Sequence, residues 1–133
     1  MICPYCASST KVTNSRPRSK GLQVWRRREC KKCSNIWTTH EVINPETSHT
    51  VTYDKKPSQP LSRDKLFISL MSAVSHRKSA LEDSTGLTDT IITKVLALRM
   101  ANIPSAKIGD LVYRTLRNYD KTAAAVYKAS RRP

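Results

Sequence analysis

The residues best equipped for chemistry are four cysteines in two pairs, Cys3-Pro4-Tyr5-Cys6 and Cys30-Lys31-Lys32-Cys33. A tight turn at each C-x-x-C step points both sulfurs at one centre. Four thiolates then satisfy a tetrahedral Zn²⁺ at about 2.3 Å each. Protein fills all four coordination positions, which leaves none for a catalytic water, so the implied metal is structural. The gap between the pairs is a little longer than the usual ribbon spacing and has room for two strands and their connection. It also carries Trp25-Arg26-Arg27-Arg28-Glu29, which runs straight into Cys30.

The quartet has other uses to weigh. Cys3-Pro4-Tyr5-Cys6 is also a glutaredoxin-like tetrapeptide, but that site needs a preceding strand and an αβ unit around it, and only two residues precede Cys3 here. Iron in a rubredoxin-like site uses similar knuckles, so zinc and iron both stay open on the residues alone. Two clean pairs argue against unbound buried thiols. Arg26, Arg27 and Arg28, with Arg16, Arg18 and Lys20, have a bland reading as a solvated face. Against it stand arginine's planar fork, which suits phosphate and guanine edges, and the rigidity of metal-pinned strands. These six residues are therefore the candidate nucleic-acid contacts. Trp25 and Trp37 are candidates for stacking on bases, with core the preferred role for Trp37.

Little else is equipped for catalysis. His40, His49 and His76 do not lie at ligand spacing with another cysteine or histidine, and the acids form no pair suited to acid–base work. There is no Ser-His-Asp order, and Gly21, Gly86 and Gly109 lie too far apart for a phosphate loop. An enzyme is not expected.

Composition sets the frame for these residues. The chain has 133 residues and is 38% hydrophobic, enough for one ordinary domain or two small ones, with a metal as staple. Lys and Arg number 24 against 10 acids, a net charge of +14 that argues for a polyanionic partner. Residues 1–45 hold nine basic and two acidic residues, so half the excess lies in a third of the chain. No stretch approaches the roughly 20 apolar residues of a membrane span. The start, Met1-Ile2-Cys3, has no basic lead or apolar run, so no signal peptide is expected and a reducing, cytoplasmic setting is.

The elements that must position these residues follow from pattern. Thr10–Thr13, Leu22–Arg28 after a Lys20-Gly21 turn, and Ile36–Ile43 read as strands. Alternation puts Val24, Arg26 and Arg28 on one face and Trp25 and Arg27 on the other. Residues 45–50 read as a polar linker, and Val51–Tyr53 is a candidate short strand. From Ser62, a plausible N-cap, the period turns helical, with Leu66, Leu70 and Val74 flanked by Phe67 and Met71. Residues 78–86 suggest one turn ending at Gly86, with Thr88 capping a next helix that holds Ile91, Ile92, Val95, Leu96 and Leu98. Pro104-Ser105 opens a helix through Ile108, Leu111, Val112, Thr115, Leu116 and Tyr119. A last helix is expected over 121–129, then a frayed tail, 131–133.

Several stretches resemble the zinc ribbon of NrdR-type repressors, bacterial regulators of ribonucleotide reductase genes. They are Cys3-Pro4-x-Cys6, Lys11-Val12-x-Asn14-Ser15-Arg16-Pro17, Arg26-Arg27-Arg28-Glu29-Cys30-x-x-Cys33 and Trp37-Thr38-Thr39-x-Glu41. Ser62-Arg63-Asp64-Lys65-Leu66 is similar to the opening of that family's first ATP-cone helix, and Ile103-Pro104-Ser105-x-x-Ile108-Gly109-Asp110-Leu111-Val112 to a later segment. The resemblance implies a DNA-binding ribbon followed by a nucleotide-sensing, oligomerising ATP-cone. It also shows departures. Where the family has Val-x-Lys-Arg-Asp-Gly, this chain has Val51-Thr52-Tyr53-Asp54-Lys55-Lys56, so a phosphate-holding Lys-Arg pair has become Tyr-Asp. The family's aspartate before Ser-Arg is Asn14, and its Tyr-Val-Arg-Phe-Ala-Ser-Val-Tyr faces Asp120–Tyr127 with little match.

The resulting expectation is an α+β protein: a four-cysteine zinc ribbon of short antiparallel strands over 1–44, a linker over 45–50, and an ATP-cone-like helical domain with a short β cap over 51–130. Cys3, Cys6, Cys30 and Cys33 hold zinc, and double-stranded DNA and further copies of the chain are the partners. ATP or dATP sensing is weakened or lost, with Lys55, Lys56 and Lys65 left to meet phosphates. The rival readings are an RNA- or ribosome-associated ribbon and the regulatory subunit of a separate nucleotide-metabolism enzyme.

Overall fold

β-branched and aromatic residues in the first third of the chain pair into one antiparallel sheet. In the computed structural model, which describes residues 1–131, its strands are β1 (Thr10–Arg18), β2 (Gln23–Cys30) and β3 (Ile36–Val42), in the order β1-β2-β3. The first strand is longer than the sequence suggests. It continues to Arg18 because its second half pairs with β2, Arg16 opposite Trp25 and Arg18 opposite Gln23. Pro17 is tolerated because β1 is an edge strand. The register shifts by one residue between Val12 and Asn14, leaving Thr13 as a bulge. A 3-10 turn at Ser19–Gly21 closes the hairpin, with Lys20 at φ 55° and Gly21 at φ 89°, where glycine avoids the Cβ clash.

The chain divides into two compact units, Met1–Ile43 and Asn44 onward. Within the first, Cys3 and Cys30 are the only buried residues. The large apolar side chains Val12, Ile36 and Val42 stay exposed. Apolar burial therefore does not hold this sheet together.

The second unit opens where a linker is expected, with one helical turn, α1 (Pro45–Ser48), capped by the Asn44 side chain accepting from the Glu46 N–H at 3.0 Å. A small sheet follows. Its middle strand β4 (Thr50–Thr52) pairs antiparallel with β5 (Gln59–Pro60) and parallel with β6 (Asn102–Pro104). β6 is too short to register as a strand in the sequence; Ile103, fully buried, anchors it. Helices α2 (Arg63–Ala73), α3 (Ala80–Leu96), α4 (Ser105–Tyr119) and α5 (Lys121–Ser130) complete the unit.

Ser62 caps α2 as expected, its hydroxyl accepting from the Lys65 N–H at 3.3 Å. The expected break at Gly86 and cap at Thr88 are absent: α3 runs 17 residues through both. Thr88 is buried and its hydroxyl donates to the Ser84 carbonyl at 2.6 Å, so the helix itself satisfies the polar group that suggested a cap. Leu66, Leu70, Val74, Leu87, Ile91, Val95, Val112, Leu116 and Ala123 share one core. The tail expected to fray begins with an engaged residue, since the Arg131 guanidinium donates to the Tyr127 hydroxyl at 2.9 Å; Arg132 and Pro133 lie outside the described residues.

A charged network ties the α2–α3 connection to the joint between α4 and α5. Arg77 bonds Asp83 at 2.6 Å and Asp120 at 3.1 Å, and His76 approaches Asp120 at 3.0 Å. Asp120 also caps α5 by accepting from the N–H groups of Thr122 and Ala123. The Ala123 N–H above all, then His76 and Arg77, hold its carboxyl down to about 2. A carboxylate depressed in the folded state contributes stability above its unfolded value, near 3.9, and loses it as pH falls through the folded one. Urea midpoints of the intact protein should therefore drop between about pH 4 and pH 2. Asp120→Asn, which keeps an oxygen for the cap, should lower the pH 7 midpoint and flatten that acid limb. An unchanged acid limb would remove Asp120 from this role.

Candidate metal centre and nucleic-acid interface

Two similar turns build the metal centre. The first lies before β1, where the Ala7 N–H bonds the Cys3 carbonyl at 3.0 Å and the Cys3 N–H bonds the Ser8 carbonyl at 2.9 Å. The second joins β2 to β3, with the Cys30 N–H on the Asn35 carbonyl at 3.0 Å. In both, the residue after the second cysteine is left-handed without being glycine: Ala7 and Ser34, each at φ 57°. That conformation costs an L-residue about 1–2 kcal/mol, so something must hold the turns in place.

The four sulfurs are that something. They lie within 4.8 Å of one another, with Cys3 Sγ 3.6 Å from Cys33 Sγ and Cys6 Sγ 3.5 Å from Cys30 Sγ. A Zn–S bond of about 2.3 Å gives a tetrahedral edge of about 3.8 Å, so the quartet fits the ion. Backbone donors aim at the sulfurs. The Tyr5 N–H reaches Cys3 Sγ at 3.4 Å, and the N–H groups of Lys32 and Cys33 reach Cys30 Sγ at 3.3 Å each. The Asn35 side-chain amide reaches Cys33 Sγ at 3.3 Å.

These contacts sort the thiols. Hydrogen bonds from the Ser8 hydroxyl and backbone draw Cys6 down to about 6, and the Asn35 backbone N–H draws Cys33 down as well. Burial pushes Cys3 up to about 11. Protein groups thus ease ionisation of Cys6 and Cys33, and a cation at the centre supplies the charge that offsets the burial of Cys3.

The arginines fall on two faces, and the bulge decides which. Opposite residues in an antiparallel ladder share a face. Arg26 lies opposite Ser15 and Thr39, and Arg28 opposite Val12 and Trp37. This knuckle face also holds Cys30, and here Trp37 meets Tyr5 edge-on at 6.2 Å; it is half-buried and not the core residue expected, because this unit has no apolar core to enter. Arg26 bonds Glu41 at 3.1 Å and Arg28 bonds the Thr39 hydroxyl at 3.2 Å. Arg27 projects from the other, open face, opposite Asn14 and Thr38. Had Thr13 taken a regular place in the ladder, alternation from Val12 would put Arg16 and Arg18 on the face of Val12; because it bulges out, they join Arg27 and Trp25. Lys20 sits in the hairpin turn.

The lysines expected to meet phosphates separate in the second unit. Lys55 and Lys56 are exposed on the β4–β5 connection. Lys65, donating to the Gln59 side-chain oxygen at 3.0 Å, lines a cavity of about 170 Å³ with Tyr53, Ser62, Ser105 and Arg131. Arg131 is a cavity cation that the sequence hides. Its guanidinium lies over Gly109, where a Cβ would collide with it.

The ribbon and its relatives now meet. A family model described as the N-terminal domain of NrdR-like transcriptional repressors matches residues 1–41. Over nearly its whole length the chain is 38% identical to the transcriptional repressor NrdR of Aromatoleum aromaticum, covering 96% of this chain and 77% of the relative. The chain belongs to the NrdR family. NrdR repressors of Acidiphilium cryptum, at 35% identity, and Geotalea daltonii, at 33%, match with 87% and 89% of their own lengths covered. The relatives are named as repressors, and the family is not one of enzymes. Its zinc ribbon settles the choice between zinc and iron as structural zinc in the four-cysteine centre. Among the described residues no helix is long and apolar enough to cross a membrane.

With two buried residues in the ribbon, folding there should follow the metal. Protein purified without chelator should carry one zinc per chain by elemental analysis. Cys30→Ser should lose the zinc and the ribbon's amide protection together while the helical unit still melts cooperatively. Full protection without metal would show that the sheet stands unaided.

Proposed function

We propose that this NrdR-like repressor binds double-stranded DNA through its ribbon, in the cytoplasm at the nucleoid, and that its helical unit assembles copies of the chain with little response to nucleotides. One observation carries the DNA reading: three arginines, Arg16, Arg18 and Arg27, are gathered on one metal-pinned sheet face and have no acidic partner among the described residues. Cations held this way release counterions from a phosphate backbone on binding, which sets affinity and its salt dependence. Sequencing the duplex fragments that the full-length protein retains from a genomic pool should return a short recurrent site. Retention of RNA in preference to duplex DNA at matched salt would overturn the reading.

Self-association is supported by large apolar side chains left in the open on the helices, Ile68 at 67% exposure and Leu81 at 59%. Weak nucleotide sensing is supported by the cavity beside Lys65. Its 170 Å³ is below the roughly 300–1,000 Å³ of small-molecule sites. Tyr53 lines it where the family pattern has lysine, while Lys55 and Lys56 do not reach it. Each lost charge-assisted bond to phosphate is worth about 1.5–3 kcal/mol, and about 1.4 kcal/mol is tenfold in affinity. Calorimetric titration should therefore find no micromolar ATP or dATP binding, and light scattering on the same samples no change in assembly. Micromolar binding with a change of size would restore the full sensor.

A further inference from the structure

The two faces of the ribbon sheet differ in what their side chains are free to do. On the knuckle face, Arg26 is held by Glu41 at 3.1 Å and Arg28 by Thr39 at 3.2 Å, and the half-buried Trp37 meets Tyr5 edge-on. These side chains serve the sheet and the metal turn. On the open face the only acid is Glu29, and Lys11 takes it at 3.3 Å. Beside that pair lies a block of two rows across three strands, and a third row, Arg18, Gln23 and Val42, follows it toward the hairpin turn. One row is Arg16, Trp25 and His40; the next is Asn14, Arg27 and Thr38. Arg16, Asn14, Arg27, Thr38 and His40 are exposed, and Trp25 is half-buried between its cross-strand neighbours.

The geometry points to this open face as the base-reading surface of the ribbon, set into the DNA major groove, with the knuckle-face arginines Arg26 and Arg28 in a supporting role. The inference rests on the DNA-binding reading above and names the residues and the groove. Three strands at about 4.8 Å spacing put the outer backbones about 10 Å apart, close to the roughly 12 Å of the major groove. The side-chain types match what that groove displays. Arginine forks suit guanine O6 and N7, a side-chain amide suits adenine N6 and N7, and a threonine hydroxyl serves either. The block owes its composition to Thr13. Because Thr13 bulges out and takes no place in the ladder, Asn14, Arg16 and Arg18 fall on the side of Arg27, where unbroken alternation from Val12 would put them on the other face.

Two double variants test this at equal cost in charge. Arg16→Gln with Arg27→Gln removes both arginines of the two-row block on the open face, and Arg26→Gln with Arg28→Gln removes both arginines of the knuckle face. Each full-length protein is assayed for zinc content, for affinity on a duplex selected by the unmodified protein from a random pool, and for affinity on a scrambled duplex of the same length. The open-face pair should lose about 10- to 100-fold on the selected duplex, much less on the scrambled one, and keep its zinc. The knuckle-face pair should fall by a similar small factor on both, which is the shared loss of charge. Methylation of guanine N7 in the selected site should block the unmodified protein. Equal losses in the two variants, or discrimination lost only in the knuckle-face pair, would overturn the assignment while leaving DNA binding intact. Failure of the unmodified protein to select any duplex would bring down the DNA reading and this inference with it.

Discussion

The attraction of four thiolates for one divalent cation is the interaction on which the first unit depends. Its sheet buries only Cys3 and Cys30, and both faces stay largely open to water. A three-stranded sheet in that state gains little from apolar burial to set against the entropy of ordering its chain. The metal centre joins the first turn to the β2–β3 turn and so ties together segments far apart in sequence. It also holds Ala7 and Ser34 in left-handed conformations that they would otherwise leave. Because the core is a metal and not a cluster of side chains, both faces of the sheet are left available for polar residues.

The second unit is built on the opposite principle. Leu70, Val74, Ile91, Val95, Ile103, Val112 and Leu116 are fully or almost fully excluded from water, and apolar burial supplies most of its stability. Electrostatics adds detail at the helix joints. Arg77 lies between Asp83 and Asp120 and against the Tyr119 ring at 4.9 Å, so one guanidinium serves the α2–α3 connection and the α4–α5 joint. Its two carboxylate partners are only 14% and 12% exposed, which makes this network less screened than the surface pair between Arg63 and Asp89.

Belonging to a repressor family does not by itself say how this chain's second unit treats nucleotides. The features that bear on DNA, the metal turns and the arginines beside them, are present. In the second unit, the stretch that the resemblance aligns with a cationic pair reads Tyr53-Asp54, which is why weak nucleotide sensing is part of the function proposed above. Arg131 reaches the same cavity from the other end of the unit and donates to the Ser105 carbonyl at 3.4 Å. That cavity therefore holds cations from two ends of the unit, Lys65 and Arg131.

By itself the sequence determined the metal centre and most of the helices. Cysteine spacing is a local constraint, since a C-x-x-C step closes on a metal whatever surrounds it, and the apolar period over 62–74 and 105–119 marks helices because one face must be buried. Alternation along β2 likewise separated Arg27 from Arg26 and Arg28 without any structure. What only the tertiary structure decided is which residues meet. The bulge at Thr13 changes the face of Asn14, Arg16 and Arg18, and a bulge is a property of the pairing with β2, invisible in β1 alone. Thr88 looks like a helix cap until its burial inside a continuous helix is known, because a threonine hydroxyl bonds a backbone equally well in either place. The three residues of β6 become a strand only beside β4, and Arg131 becomes a cavity residue only because Gly109, far away in sequence, leaves room for it. Long-range pairing and packing set these outcomes, and neither leaves a local pattern to read.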